Sequence, residues 1–131
     1  MRVHGRQYRT ICVADDGAAV EVIDQTRLPF DFEVRHLHTA AQAAEAIREM
    51  VVRGAPLIGV TAAYGVALGM RSDPSDAGLS RVVQLLGATR PTAVNLRWAL
   101  ERVRSVLAVE SPDRRAARAY DEAARIAEED V

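Results

Sequence analysis

The sequence predicts an α+β fold in which a small antiparallel sheet precedes a bundle of about five helices. Strand-like runs separated by turn residues occupy residues 1–38, and helical periodicity with helix-start signals occupies residues 39–131. Because strand and helix signals do not alternate, the pattern argues against a βαβ unit and a parallel sheet. A chain of 131 residues suits one domain, so we expect 1–38 and 39–131 to be two parts of one unit.

The N-terminal part is predicted to contain three short strands. Gln7–Ala14 and Ala19–Asp24 are rich in β-branched and other apolar residues, and Asp15-Asp16-Gly17 between them is a turn signal. These two strands therefore form a predicted hairpin. Phe32–Leu37 alternates between polar and apolar residues and predicts the third strand, and three strands with one apolar face can form a small sheet.

Two predicted helices meet at Gly54. Thr39 is a helix-capping residue, and Gln42 has the spacing of a capping box. Apolar residues then follow at helical spacing (Ala43, Ala44, Ile47, Met50 and Val51), and we expect Gly54 to end this helix in a left-handed conformation. Pro56 suits the first turn of the next helix, which is apolar nearly all round and is predicted to be central and buried.

Three further helices complete the predicted bundle. Residues 72–78 are predicted as a loop, followed by a helix over about 79–86. Arg90-Pro91 interrupts the chain, and Thr92 is a possible cap for an amphipathic helix with Leu96, Leu100, Val103 and Leu107 on one side. Ser111-Pro112-Asp113 caps a last helix whose acidic end, 128–130, is expected to be solvated. No Gly or Pro stop follows it, so we expect a further domain to follow this one.

Composition excludes several functional classes. The chain has 17 basic and 18 acidic residues and no basic cluster, which argues against a nucleic-acid surface. Every basic residue is Arg, so Schiff-base chemistry on a Lys of this chain is excluded, and anion binding falls to guanidinium or backbone N–H groups. The polar N-terminus and a Gly-broken apolar stretch at 55–70 predict a cytoplasmic protein without a membrane span.

The scattered Cys and His residues carry no catalytic or metal signal. Cys12 is the only cysteine, so no intrachain disulfide is possible, and we expect it to be buried as a small apolar residue. His36 and His38 could share one strand face, but no third ligand is evident, so we expect them to face solvent. Neither a metal nor another cofactor is predicted.

Two segments place an Arg beside a helix start. In 52–59, Gly54 and Ala55 have small side chains that let an anion approach the backbone, and Arg53 can add a bidentate contact. In 90–96, Arg90 precedes a second helix start. Either segment alone is also explained as a structural helix junction with a surface Arg. Two such starts in one small domain favour a shared phosphate site.

The sequence resembles the methylthioribose-1-phosphate isomerase family. VVRGAPLIGVTAAYG at 51–65 and RPTAVNLRWAL at 90–100 resemble two family signatures in the expected order. QYRTI at 7–11 and VEVIDQTRLP at 20–29 resemble the opening sheet of the family. The resemblance covers the chain from about Gln7 to its end.

The resemblance implies an aldose–ketose isomerase of methionine salvage. Family members convert methylthioribose-1-phosphate to methylthioribulose-1-phosphate, and their phosphate contacts map onto Arg53, Gly54, Ala55 and Arg90. The family's catalytic Cys and Asp belong to a Rossmann-like C-terminal domain whose sequence has no counterpart here, and Cys12 is not that Cys. The resemblance therefore implies a substrate-binding N-terminal domain that is inactive alone, lacks its C-terminal catalytic domain, and forms a homodimer when full length.

Two alternatives remain from the sequence. Ribose-1,5-bisphosphate isomerases act on another phosphorylated ribose and resemble the same signatures. The regulatory subunits of translation initiation factor two-B share the fold and would make the chain a non-enzymatic module. The downstream sequence distinguishes these, because a Cys and an Asp in the family contexts favour the isomerase.

Overall fold

The computed structural model describes residues 2–3, 6–7, 11–14, 17–23, 34–49, 52 and 54–129. Short strands precede a bundle of helices, which confirms the predicted α+β class. The strands are β1 (Arg2–Val3), β2 (Arg6–Gln7), β3 (Ile11–Val13), β4 (Val20–Ile23) and β5 (Val34–Leu37). The helices are α1 (Ala40–Arg48), α2 (Ala55–Ser72), α3 (Asp76–Gly87), α4 (Val94–Ala108) and α5 (Arg115–Glu129). In this described part of the chain, no helix is long and apolar enough to cross a membrane.

Strands β3, β4 and β5 form the predicted three-stranded sheet. Both pairs are antiparallel, with Ile11 opposite Val22 and Val20 opposite Leu37. The predicted β3–β4 hairpin is confirmed: Gly17 has a φ of 73°, which suits glycine, and its N–H donates to the Ala14 carbonyl at 2.9 Å. Asp15 and Asp16 of the predicted turn lie outside the described residues.

The first predicted strand includes residues of two described strands, β2 and β3. Gln7 pairs with Arg2 in a separate two-stranded ladder, β1–β2, and Ile11 begins the strand that joins the larger sheet. Only two residues separate β1 from β2, the commonest hairpin connection, so the pairing of Gln7 is local. The predicted strand from Gln7 to Ala14 is confirmed at Gln7 and at Ile11–Val13, and residues 8–10 lie outside the described residues.

Helix α1 begins as predicted and ends earlier than predicted. Thr39 Oγ1 accepts a hydrogen bond from the Gln42 N–H at 3.1 Å, while Gln42 Oε1 accepts one from the His38 N–H at 2.7 Å. The helix stops at Arg48, so the prediction that Gly54 ends it was wrong; Gly54 instead precedes α2. Val52 is fully buried between the two helices, and Met50 and Val51 lie outside the described residues.

Helix α2 is the predicted central helix. It contacts α1, α3, α4 and α5, and every residue from 58 to 68 is buried. The neighbouring helices approach its backbone closely because glycines on its surface leave no side chain between them. A methyl group at Gly69 would lie 2.6 Å from Val82 Cγ2, and one at Gly65 would lie 3.1 Å from the Ala43 methyl. Only 5% of the residues are aromatic, and the core is filled at these contacts by bringing helix backbones close together.

Helix α3 begins within the segment predicted to be a loop. Ser75 Oγ accepts a hydrogen bond from the Gly78 N–H at 3.0 Å, and Asp76 lies in the first turn, where the helix dipole favours a carboxylate. The predicted loop over 72–78 therefore shrinks to residues 73–75. Its capping signal, a serine before an acidic residue, was present in the sequence and was missed.

Helix α4 has the predicted apolar side and a different start. Its buried face includes the predicted set of Leu96, Leu100, Val103 and Leu107. Thr92 is not its cap, because Ala93 occupies that position and no side chain caps the helix. Before α5, Pro112–Arg114 form a 3-10 turn that starts after Ser111, so the last helix begins at Arg115, slightly later than predicted.

Arg115 joins three helices from a buried position. Its Nε donates to the Leu107 carbonyl at 3.0 Å, Nη1 to the Pro74 carbonyl at 2.8 Å, and Nη2 to Asp76 Oδ1 at 2.6 Å. The residue is 3% exposed, so these contacts supply the hydrogen bonds that a buried guanidinium requires. A similar long-range contact links sheet and bundle, since the Tyr120 hydroxyl donates to the Ala18 carbonyl at 2.6 Å.

We expect the two glycines at opposite ends of α3 to respond differently to replacement by alanine. A methyl group at Gly78 would lie 2.2 Å from the Asp73 carbonyl oxygen, whereas one at Gly87 would meet only Leu100 Cδ1 at 3.6 Å. Gly78→Ala should lower the free energy of unfolding by about 1–3 kcal/mol through overpacking. Gly87→Ala should leave it unchanged or raise it by up to about 1 kcal/mol through helix propensity. Urea denaturation measures both, and equal shifts in the two variants would contradict the packing at Gly78.

Candidate functional site

The two helix starts singled out in the sequence lie side by side. Gly59, in the second turn of α2, faces the backbone of α4 so closely that a methyl group there would lie 3.2 Å from the Asn95 carbonyl oxygen and 3.5 Å from Ala99 Cβ. Asn95 is the second residue of α4. The N-terminal ends of α2 and α4 therefore meet on one side of the bundle.

Neither helix start uses a side chain as a cap. Gly54 and Ala93 occupy the two cap positions and have no side-chain acceptor, in contrast to Thr39 of α1 and Ser75 of α3. The first hydrogen bond within α2 runs from the Ile58 N–H to the Gly54 carbonyl, so the N–H groups of Gly54, Ala55 and Leu57 have no acceptor in the helix. Such N–H groups, with the positive end of the helix dipole, favour a bound anion.

Gly54 has a backbone conformation that favours glycine. Its φ is 93° and its ψ is 132°, and no atom would lie within 4 Å of an added methyl group, so the constraint comes from the backbone and not from crowding. Gly54 and Pro56 are both exposed, which leaves the start of α2 accessible from solvent.

Arg90 contacts the end of α1. Its Nε donates a hydrogen bond to the Ile47 carbonyl at 3.2 Å, in the last turn of that helix, and its side chain is partly buried. Among the described residues this is the only side-chain hydrogen bond of Arg90, so the two Nη groups remain able to donate elsewhere. The contact holds Arg90 beside the connection between α1 and α2. Arg53 belongs to that connection in sequence but lies outside the described residues.

The two helix starts suit binding and not proton transfer. Residues 52, 54–59 and 90–96 include no His, Cys, Asp or Glu, so these described segments offer no side chain that titrates near neutral pH. They offer backbone N–H donors and one guanidinium. An anion such as a phosphate group is the ligand that this set of donors fits.

A cavity lies at the opposite end of α2. Its volume is about 250 Å³, and its lining includes Thr39, Leu68, Asp73, Arg81 and Leu85. Asp73 and Arg81 form an ion pair at 3.3 Å, and hydrogen bonds from Ser75 chiefly hold the pKa of Asp73 below its ordinary value. The cavity thus has both an apolar wall and a satisfied charge pair. It does not include the helix starts that bear the sequence signatures.

The histidines and the cysteine form no metal site in the part of the chain described. His36 and His38 are exposed as predicted, and His36 Nε2 contacts Glu21 Oε2 at 2.9 Å. Cys12 is only partly buried, contrary to the prediction, because its Sγ lies beside Glu21 at the sheet surface, 3.7 Å from Oε1. Within the described ranges, no three His, Cys, Asp or Glu side chains are arranged to hold a metal ion.

A charge cluster joins α4 to α5. Arg102 Nε donates to Glu122 Oε2 at 2.6 Å, and its Nη groups donate to both oxygens of Glu129 at 2.8 and 2.6 Å. These hydrogen bonds raise the pKa of Arg102 and lower that of Glu129. Arg118 adds a contact to Glu122 at 3.1 Å, so the buried Glu122 is paired on both oxygens. The acidic end of α5 is therefore partly engaged and not simply solvated as expected.

Known proteins resemble this chain along its whole length. No protein-family model matches it. A methylthioribose-1-phosphate isomerase of Methylobacterium nodulans is 69% identical over all 131 residues, and one of Methylorubrum populi is 62% identical. The chain spans about 36% of the length of each. An uncharacterised protein in the petC 3′ region of Rhodospirillum rubrum is 58% identical, and the chain covers 71% of it.

Two crystal structures share the fold. A 5-methylthioribose 1-phosphate isomerase from Pyrococcus horikoshii superimposes with a TM-score of 0.84 at 34% identity, over 95% of this chain and 37% of that one. The delta subunit of translation initiation factor eIF-2B from A. fulgidus also gives a TM-score of 0.84. It is 36% identical, and the match covers 95% of this chain and 38% of that subunit. The fold is thus that of the domain common to sugar-phosphate isomerases and initiation factor two-B subunits. Its sequence relatives include methylthioribose-1-phosphate isomerases that are 56–69% identical over this whole chain, which matches 36% of their own length.

We expect Glu129→Gln to make the stability of the chain less sensitive to acid. The pKa of Glu129 is lowered on folding, so its ion pair contributes stability above the ordinary glutamate pKa of 4.5 and loses it as the pH falls through the lower folded value. At pH 7 the variant should unfold at a lower temperature than the wild-type chain, and the difference should shrink below about pH 4.5.

Thermal unfolding between pH 7 and pH 3 measures this effect. Glu128→Gln is the matched control, because it removes one charge from the adjacent exposed residue, which forms no ion pair with the described residues. The same pH dependence in both variants would mean that net charge, and not the contact with Arg102, is responsible.

Proposed function

We propose that this chain is the N-terminal, substrate-phosphate-binding domain of an isomerase that converts methylthioribose-1-phosphate to methylthioribulose-1-phosphate. The catalytic acid–base groups belong to a C-terminal domain that the relatives' greater length supplies. Arg53, Gly54, Ala55 and Arg90 bind the phosphate of the substrate in this proposal. The two parts 1–38 and 39–131 act as one rigid support for that site.

One observation carries the proposal: the uncapped N-terminal ends of α2 and α4 meet at Gly59 and Asn95. Each end contributes backbone N–H groups and a positive dipole, and the two fields add where the helices touch. Arg90, held at the neighbouring end of α1, can add a charge-assisted contact through its free Nη groups. A dianionic phosphate gains more from such a site than a neutral sugar hydroxyl does.

The lack of acid–base groups at the helix starts supports a division of labour between two domains. An aldose–ketose isomerisation moves protons, which requires titratable groups within reach of the substrate. The residues at this site offer none, whereas the curated relatives are almost three times as long as this chain. The domain proposed here therefore fixes the phosphate end of the substrate while the other domain performs the chemistry. The resemblance further implies that the full-length protein is a homodimer.

The main alternative is a regulatory role like that of an initiation factor two-B subunit. The A. fulgidus subunit superimposes as well as the isomerase does, so the fold does not separate the two roles. The curated isomerases, at 56–69% identity, support the isomerase role, whereas the two solved structures, at 34% and 36% identity, favour neither role. An isomerase acting on ribose-1,5-bisphosphate is the closer alternative, because it needs the same phosphate contacts.

We expect the 131-residue chain alone to have no isomerase activity and a chimera to have it. In the chimera, this chain replaces the matching 36% of the Methylobacterium nodulans relative, whose remaining sequence supplies the second domain. Turnover of methylthioribose-1-phosphate is followed by NMR, with ribose-1,5-bisphosphate as the competing substrate. Activity of the mass-verified chain alone would contradict the division of labour. A folded chimera that turns over only the bisphosphate would favour the alternative isomerase.

We expect Arg53→Ala and Arg90→Ala in that chimera each to weaken substrate binding about tenfold to a hundredfold, the loss of one charge-assisted contact. Arg53→Lys should recover only part of the affinity, because an ammonium group cannot form the planar bidentate contact. Calorimetry with the unreacted substrate at low temperature, or with an unreactive analogue, measures the affinity.

Arg81→Ala is the matched control for these variants, since Arg81 is an exposed Arg at the cavity on the other end of α2. It should bind substrate like the unaltered chimera. Wild-type affinity in both the Arg53 and Arg90 variants, with the fold intact by circular dichroism, would show that the two residues are structural. If only the Arg81 variant bound the substrate weakly, the phosphate site would lie at the cavity and not at the helix starts.

A further inference from the structure

Two large apolar side chains project into solvent from one face of α4. Trp98 is 51% exposed and Val94 is 67% exposed, and they lie one helical turn apart. Scattered exposed apolar residues are common, but an aromatic side chain with an apolar neighbour on a rigid helix is the composition of an interaction surface. We call these two residues the α4 face.

The Trp98 ring is held in place. The Arg102 guanidinium lies 5.4 Å from the ring centroid, one turn further along α4, in a cation–π contact. Arg102 is in turn fixed by its hydrogen bonds to Glu122 and Glu129 on α5. The tryptophan is therefore restrained before any partner arrives, which lowers the entropy lost on binding.

The α4 face begins at the candidate phosphate site. Val94 is the first residue of α4, and the next residue, Asn95, is the one whose carbonyl meets Gly59 of α2. A domain that covers a phosphate bound at the two helix starts must therefore pass over or beside Val94 and Trp98. This continuity distinguishes the face from Val109, which is 89% exposed at the opposite end of α4.

The small area of the face favours a covalently linked partner. Two exposed side chains of this size offer on the order of 200 Å². A stable complex between separate proteins buries about 800 Å² on each side. A domain on the same polypeptide needs less contact area, because the linker keeps its effective concentration high. The relatives carry almost two-thirds of their length outside the part that matches this chain.

We propose that the α4 face, Val94 and Trp98, docks against the catalytic domain that the longer relatives carry, and so positions that domain over the phosphate site. This inference rests on the proposed function for the identity of the partner. Trp98 contributes the buried aromatic anchor, and Val94 extends the contact to the edge of the site.

Hydroxyl-radical footprinting with mass spectrometry tests the docking. It compares the oxidation rate of Trp98 in the 131-residue chain and in the chimera with the Methylobacterium nodulans remainder. We expect severalfold slower oxidation of Trp98 in the chimera and an unchanged rate at the exposed His38, which lines the distant cavity. Equal rates at Trp98 in both proteins would overturn the proposal. The proposal would also be overturned if Trp98 were protected in the 131-residue chain alone and lost that protection when the protein was diluted. The partner would then be a second copy of this chain.

A pair of valine variants strengthens the test. Val94→Arg in the chimera should return Trp98 to the oxidation rate of the isolated chain, whereas Val109→Arg, at a more exposed valine outside the face, should not. Both sites are exposed, so both variants should fold. If Trp98 stays protected in both variants, or loses its protection in both, the result counts against the α4 face. An active chimera with unprotected Trp98 overturns the docking alone, and a protected but inactive chimera overturns the proposed function alone.

Discussion

Close packing around α2 is the constraint on which the rest of the structure depends. A helix that contacts four others can be buried from residue 58 to residue 68 only if its neighbours approach its backbone. Gly65 and Gly69 permit that approach to α1 and α3, and Gly59 permits it to α4. The last of these contacts also brings two helix N-terminal ends together. The geometry of the candidate site is therefore a direct result of core packing.

Arginine performs several separate tasks in this chain, which has no lysine. Arg115 satisfies a main-chain carbonyl at the end of α4, another in the loop before α3, and a carboxylate in the first turn of α3. Arg102 joins α4 to α5 and orients Trp98. Arg90 binds the end of α1 through one nitrogen and keeps two others available. The planar guanidinium with its five donors allows one side chain to serve a structural partner and a ligand together.

The two ends of α2 have different chemical character. At its start lie Gly54 and backbone N–H groups without an acceptor in the helix, and Arg90 is held at the end of α1, a set of donors that suits an anion. At its other end lies a cavity whose Asp73–Arg81 pair is already satisfied. In the proposed function, a domain built in this way holds one charged group of a substrate and leaves proton transfer to residues elsewhere. In the proposed docking, the α4 face gives this domain a defined contact with the domain that would supply those residues.

The sequence alone determined the class of fold, the order of its elements, the cap at Thr39 and the buried faces of α2 and α4, because capping and apolar periodicity are local properties. It also singled out the helix starts at Gly54 and near Arg90. Only the tertiary structure decided that these two starts touch, that α1 ends at Arg48, and that Arg90 contacts Ile47. The two contacts join residues 36 and 43 positions apart in the chain. Local patterns contain no information about which distant groups satisfy a helix end or which helices cross.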